Sequence, residues 1–191
     1  RYKDSKEFKN FVDKAHAKNI GILAELDLYE FDESSYFLEN FDGTSLYNYD
    51  YDDIKYNYYG AMNFDPSKNS SRSFLLSVVN FWLKEYNLDG IVLANIENAI
   101  YWQGQKDRGI NKEWISLISK IIEIIHKNKA LALASYNGIC DLDFDLDYIY
   151  DLSFRQILRI MQKSPFERNN YRINIQNLII NDTSKKILGF S

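Results

Sequence analysis

Cysteine is almost missing from this 191-residue chain. The single Cys140 cannot close an internal disulfide, so nothing in the sequence demands an oxidising compartment. Histidine is nearly as scarce. His16 and His126 both fall in helical patterns, where they read as ordinary helix-surface residues. Metal sites and Ser-His-Asp chemistry usually draw on histidines at loop or strand ends. No metal and no cofactor is therefore expected, and catalysis must use carboxylates or be absent. There is no excess of basic charge either: 23 Lys+Arg face 27 Asp+Glu, for a net charge of −4. That excludes a nucleic-acid partner held by its phosphates, whose binding domain is normally basic. No apolar run approaches the roughly 18–20 residues of a membrane span, and no signal peptide opens the chain. No membrane partner and a cytoplasmic location are the corresponding expectations. Glycine-rich turns are missing too, since Gly21 stands alone and neither G-x-G-x-x-G nor a P-loop occurs. Arg1 stands where an initiator Met is expected, and the chain reads as an excised piece of a longer protein.

What is present is core-forming material: 46% of residues are hydrophobic and 16% aromatic, enough for one packed domain over 1–191. Asp4, with Glu7 three residues on, starts a helix over 5–17 whose Phe8, Phe11, Val12 and Ala15 share a face. A buried strand follows at 20–26. Residues 28–66 form a long irregular stretch crowded with Tyr, Asp and Asn, a length that is itself a functional signal. Phe74, Leu75, Val78, Val79, Trp82 and Tyr86 predict a helix over 69–86. A second buried strand is expected at 91–96, a helix at 111–127 and a third strand at 130–135. Asp141, Asp143, Asp145 and Asp147 alternate with apolar residues, which predicts a strand with one wet face. A calcium loop is excluded there by the missing glycine and glutamate. Helical patterns return near 154–161 and 171–181, and a last short strand begins at Ile187. Strands alternating with helices imply an α/β fold with a parallel sheet. Periodicity alone leaves both a doubly wound sheet and a (β/α)8 barrel open.

Particular residues narrow this. Phe41-Asp42-Gly43-Thr44-Ser45-Leu46-Tyr47 resembles an F-D-G-T-x-L-Y signature. Phe81-Trp82-Leu83-Lys84-Glu85-Tyr86-Asn87-Leu88-Asp89-Gly90 is similar to an F-W-L-E-E-Y-H-I-D-G run. Residues 8–16 with Gly21-Ile22, and Asn63-Phe64 with Arg72–Leu75, add weaker matches. These are motifs of the 1,4-α-glucan (glycogen) branching enzymes of glycoside hydrolase family 13, and the resemblance runs from about residue 5 to 190. It implies a fragment of a (β/α)8 TIM barrel with about five of the eight strands, where the whole barrel takes about 250 residues. An open sheet of this kind is expected to associate into a homo-oligomer through its barrel edges, and α-glucan is the implied ligand.

The resemblance departs where that family keeps its chemistry. The family's nucleophile closes the strand that here reads Asp89-Gly90-Ile91-Val92-Leu93-Ala94, which puts Ala94 at the nucleophile and Val92 at its arginine partner. Ser135 takes the position of the acid/base glutamate. Glu25 and Glu30 take those of an aspartate and a histidine in the first conserved region. A methyl cannot form a glycosyl ester, and a serine cannot hold the raised-pKa proton a leaving oxygen needs. Losing one such group lowers rate by on the order of 10⁴–10⁶ in other covalent enzymes. An inactive homologue is the leading expectation. A non-catalytic α-glucan- or partner-binding scaffold is the second, with Tyr47, Tyr59, Trp102, Asn95 and Tyr136 as contact residues, because flat rings suit sugar C–H faces. A third keeps activity through relocated carboxylates, Glu25 and Glu97. A register shift of one residue would bring only Asn95 to the nucleophile position, so it does not restore the mechanism.

Overall fold

The computed structural model describes residues 4–32, 43–136, 143–151, 159–169, 171 and 186–188. Helix α1 (Ser5–His16) begins where the Asp4 carboxylate accepts the Glu7 N–H at 2.7 Å. Its apolar face seats Val12 in the core and Phe8 against Trp82 and Tyr86, with centroids 5.9 and 5.0 Å apart. Strand β1 (Leu23–Leu26) is shorter than the expected 20–26, because the chain first turns through Asn19 at φ 58° and closes on the helix end. The Ile20 N–H donates to the Ala15 carbonyl at 3.0 Å, so that residue serves the turn and not the ladder.

The long irregular stretch is partly organised. β2 (Glu30–Phe31) pairs antiparallel with β3 (Met62–Asn63), and a single helical turn, α2 (Asp52–Lys55), lies between them. Lys68 holds it down, its ammonium donating to the carbonyls of Ser45 (2.7 Å) and Asn48 (2.8 Å). Helix α3 (Asn69–Tyr86) follows as expected and ends at Asn87, whose left-handed φ of 52° turns the chain toward β4 (Gly90–Leu93). A helical turn, α4 (Glu97–Ile100), leads into α5 (Lys112–Lys127), where the Asn111 side chain caps the Trp114 N–H. α5 is amphipathic: Leu117, Ile118, Ile121 and Ile125 are fully buried. Each such side chain contributes roughly 1.5–3 kcal/mol of apolar burial. β5 (Leu131–Tyr136), β6 (Tyr148–Asp151), the short helix α6 (Pro165–Asn169) and β7 (Lys186–Leu188) complete the described elements.

The five longer-range strands form one sheet in the order β1-β4-β5-β6-β7, every neighbouring pair parallel. One face, carrying Ile91, Leu93, Ala132 and Ala134, is buried toward the helices, and α3 packs on α5. On the other face the first row, Leu23–Gly90–Leu131, is open: Leu23 and Leu131 are 43% and 42% exposed. In a closed barrel that face is filled by layers of inward side chains. The fold is an α/β, partial (β/α)8 barrel. Among the described residues no helix is long and apolar enough to cross a membrane.

Two expectations need correction. Residues 143–147 are not part of a wet strand: the ladder starts at Tyr148, and Asp147 turns its carboxylate to the Ala132 N–H at 2.8 Å. Alternation of Phe144 and Leu146 inward with Asp143 and Asp145 outward produces the same period of two without a ladder. The histidines are not plain surface residues either, since each is half-buried against an aspartate. Asp141, Cys140 and most of the helical patterns expected near 154–161 and 171–181 lie outside the described residues.

Gly90 is required by strand spacing. A Cβ there would meet the Leu131 carbonyl oxygen at 2.6 Å, a backbone atom with nowhere to go. Gly90→Ala is expected to cost about 1–3 kcal/mol, in the manner of overpacked cores. Urea denaturation measures it, and a loss below experimental error would mean the strands part freely.

Candidate functional site

Barrel enzymes build their sites beyond the C-terminal ends of the strands, and the register says which residues meet there. Leu26, Leu93 and Ala134 share one level. The next level up carries Asp27, Ala94, Ser135 and, paired with Ser135, Tyr150. The two positions implicated by the family motif, Ala94 and Ser135, therefore lie side by side on adjacent strands. Neither is open to a ligand, at 6% and 1% exposure. Ser135 already has a partner: its Oγ accepts the Asn95 N–H at 2.7 Å, and its carbonyl accepts the Ile96 N–H at 3.2 Å. These bonds hold Asn95 at a left-handed φ of 46°, the point where the chain leaves β4. Val92 sits two levels below Ala94 on the same face, opposite Glu25 of β1 and Leu133 of β5.

The accessible chemistry is displaced toward β1. A cleft of about 450 Å³ is lined by Asp27, Glu30, Phe31, Asp32, Tyr59, Gly60 and Ala61. Glu30 is carried there by the β2–β3 ribbon and accepts from the Asn57 amide. Asn57 also accepts the N–H groups of Tyr59 (2.9 Å) and Ala61 (3.0 Å), so one side chain shapes both the carboxylate and the aromatic turn. Tyr59 is 89% exposed at the cleft rim, edge-on to Tyr58 with centroids 5.4 Å apart.

Asp27 is the perturbed carboxylate of the site. Loss of water around it raises its pKa above the ordinary value, and the charges of Glu30 and Glu25 push the same way, against the Tyr29 N–H that donates to it at 3.3 Å. Glu25 and Glu30 thus both bear on Asp27. Glu97 opens α4, and its charge falls on the buried Tyr29 hydroxyl, which burial and Asp27 also hold protonated. Tyr29, Trp102 and Asn98 line a small interior cavity of about 20 Å³. Of the remaining expected contact residues, Tyr47 is packed between Phe64 and Phe74, at 6.4 and 5.2 Å, and Trp102 lies 5.9 Å from Tyr49. Tyr136 ends β5. The structure thus brings Glu30 and Tyr59 together and leaves Tyr47 and Trp102 elsewhere. Asp27 was legible as the next same-face residue after Leu23 and Glu25.

These elements define the class. Over 95% of its length the chain superposes on 40% of a noncanonic maltogenic α-amylase, AmyB, from Thermotoga neapolitana, with a TM-score of 0.64 at 15% identity. It also superposes on 64% of Aspergillus fumigatus Ega3, solved in complex with galactosamine, with a TM-score of 0.55 at 13% identity. Likeness at these identities establishes the fold alone, a partial (β/α)8 barrel. No family model matches the chain. In sequence the chain is similar to 1,4-alpha-glucan branching enzymes GlgB. It is 28% identical to that of Fusobacterium nucleatum over 181 residues, 90% of this chain, and 31% identical to that of Bacillus cytotoxicus over 126 residues. The resemblance read from the motifs therefore holds across most of the chain, which spans only 30% and 20% of those two relatives.

A carboxyl raised in the folded state destabilises the fold once ionised. The loss is absent below the unfolded value near pH 4, grows as pH rises through the folded value and persists at neutrality. Asp27→Asn is accordingly expected to be more stable than the parent at pH 7, with the difference gone near pH 3. Urea midpoints at the two pH values test this, and equal shifts at both would contradict it.

Proposed function

We propose that this chain is the barrel portion of an α-glucan-binding protein that keeps the branching-enzyme scaffold without its transfer chemistry. One observation carries the reading: the level where two facing carboxylates are needed presents the closed pair Ala94 and Ser135, the serine hydroxyl already bonded to Asn95. A retaining mechanism needs two carboxyl groups about 5–5.5 Å apart, one to form the ester and one to protonate the leaving oxygen. A methyl and an engaged hydroxyl do neither.

Binding is a separate matter, and the cleft beside β1 supports it. Carboxylates accept paired hydrogen bonds from vicinal sugar hydroxyls, and the exposed Tyr59 ring offers an apolar face to sugar C–H groups. The choice of α-glucan rests on the branching enzymes it resembles, which are named for 1,4-alpha-glucan. The single-domain organisation over 1–191, the cytoplasmic location and association through open sheet edges belong to the same proposal. The second reading, activity from relocated carboxylates, gains support from the charges of Glu25 and Glu30 that bear on Asp27. It predicts that Asp27→Asn abolishes turnover.

The test joins both arms. Incubated with amylose, the protein is expected to generate no α-1,6 branches and no new reducing ends. Titrated with maltoheptaose at millimolar concentration, it is expected to bind, and Tyr59→Ala to weaken binding about 3–10-fold, the loss of one aromatic contact. New branches or reducing ends that disappear in Asp27→Asn would establish the active reading. Binding unchanged by Tyr59→Ala would move the ligand away from this cleft.

A further inference from the structure

Two places far apart in the sequence hold the same arrangement of atoms. Just before β1, the Ile22 N–H donates to Asp89 Oδ2 at 2.6 Å, while the Ile22 carbonyl accepts the Asp89 N–H at 2.9 Å. His16 Nε2 lies 2.8 Å from the same carboxylate oxygen. At the start of β5, the Ala132 N–H donates to Asp147 Oδ2 at 2.8 Å, and the Ala132 carbonyl accepts the Asp147 N–H at 2.9 Å. His126 Nε2 lies 3.1 Å from that oxygen, and Asp145 adds a contact to its Nδ1 at 3.5 Å. In both cases the histidine comes from the last turn of the preceding helix, six residues before the residue it helps to hold. In both, the aspartate is the residue immediately before the next strand.

We infer that these are two copies of one register clamp, built on Asp89 and Asp147 with His16 and His126 as their positioning residues, which fixes the stagger of β1 on β4 and of β5 on β6. Main-chain ladder bonds are alike at every step and do not by themselves select one stagger. A carboxylate that can reach only one N–H does select it. A slip of one residue would turn every side chain of a strand to the other face. A slip of two would keep the faces and carry Asp27 away from Ala94. Asp89 also ties in the third strand, since its carbonyl accepts the Leu131 N–H at 2.8 Å. Gly21 leaves the room this requires: a Cβ there would stand 3.3 Å from the Asp89 carboxyl. Burial alone would raise that carboxyl, but the Ile22 N–H and His16 outweigh it and hold Asp89 below the usual range.

Amide NMR tests the clamp on the intact chain. The Ile22 amide proton is expected to shift with acid at an inflection below the ordinary aspartate range, and to stop titrating in Asp89→Asn. The Ala132 amide resonance is expected to move in Asp147→Asn while that of Ile22 stays in place. His16→Gln should move the Ile22 inflection upward and leave Ala132 unchanged, which a role in packing alone would not do. Amide exchange supplies a second arm: Asp89→Ala should speed exchange at Ile22 at least tenfold more than at Ala132, and Asp147→Ala the reverse. Where an alanine variant does not fold, the asparagine variants decide. Amides that ignore their aspartates, or exchange that rises equally at both clamps, would overturn the proposal.

Discussion

The hydrogen-bonded stagger of β1, β4 and β5 is the constraint on which the rest of this structure depends. It sets Leu26, Leu93 and Ala134 at one height, so that Asp27, Ala94 and Ser135 emerge together at the next. Helix packing on the far face keeps the three strands close. Ile91, Leu93, Ala132 and Ala134 are buried there, in the same core as Leu117, Ile118 and Ile121 of α5. The approach is close enough that position 90 has no room for a side chain. Bulk apolar burial makes the sheet stable, whereas directional bonds at its lower edge give it one register. These are different physical tasks, performed by different residues.

At the upper edge the closed level of Ala94 and Ser135 lies apart from the open cleft beside β1. The two residues are 6% and 1% exposed beneath the Asn95 turn. The Ser135 hydroxyl is already engaged there, accepting the half-buried Asn95 N–H. Open polar surface lies beside β1, where the β2–β3 ribbon brings Glu30 and Tyr59 against Asp27. Partial burial, and after it the charges of Glu30 and Glu25, make ionisation of Asp27 there more costly.

Much of this was legible from residue order. Amphipathic spacing placed α3 and α5 within a residue of their observed bounds, since a continuous apolar stripe fixes a helix whatever surrounds it. The Asp4 cap was equally local. Strand ends were less legible: β1 starts three residues late because Ile20 is spent on closing the helix turn. The aspartates of 143–147 misled, because an extended loop lying on a core alternates in the same way as a strand. Both histidines were missed, their partners being 73 and 21 residues away along the chain.

By itself the sequence determined the alternation of helix and strand, the apolar faces and the small, non-acidic residues at Ala94 and Ser135. All of these follow from the identity of residues and their near neighbours. Only the tertiary structure decided that those two positions are closed, that Asp27, Glu30 and Tyr59 share a cleft, and that Tyr47 and Trp102 are packed elsewhere. Each of those facts depends on distances between strands and loops remote in sequence, and such distances are set by the packed sheet as a whole.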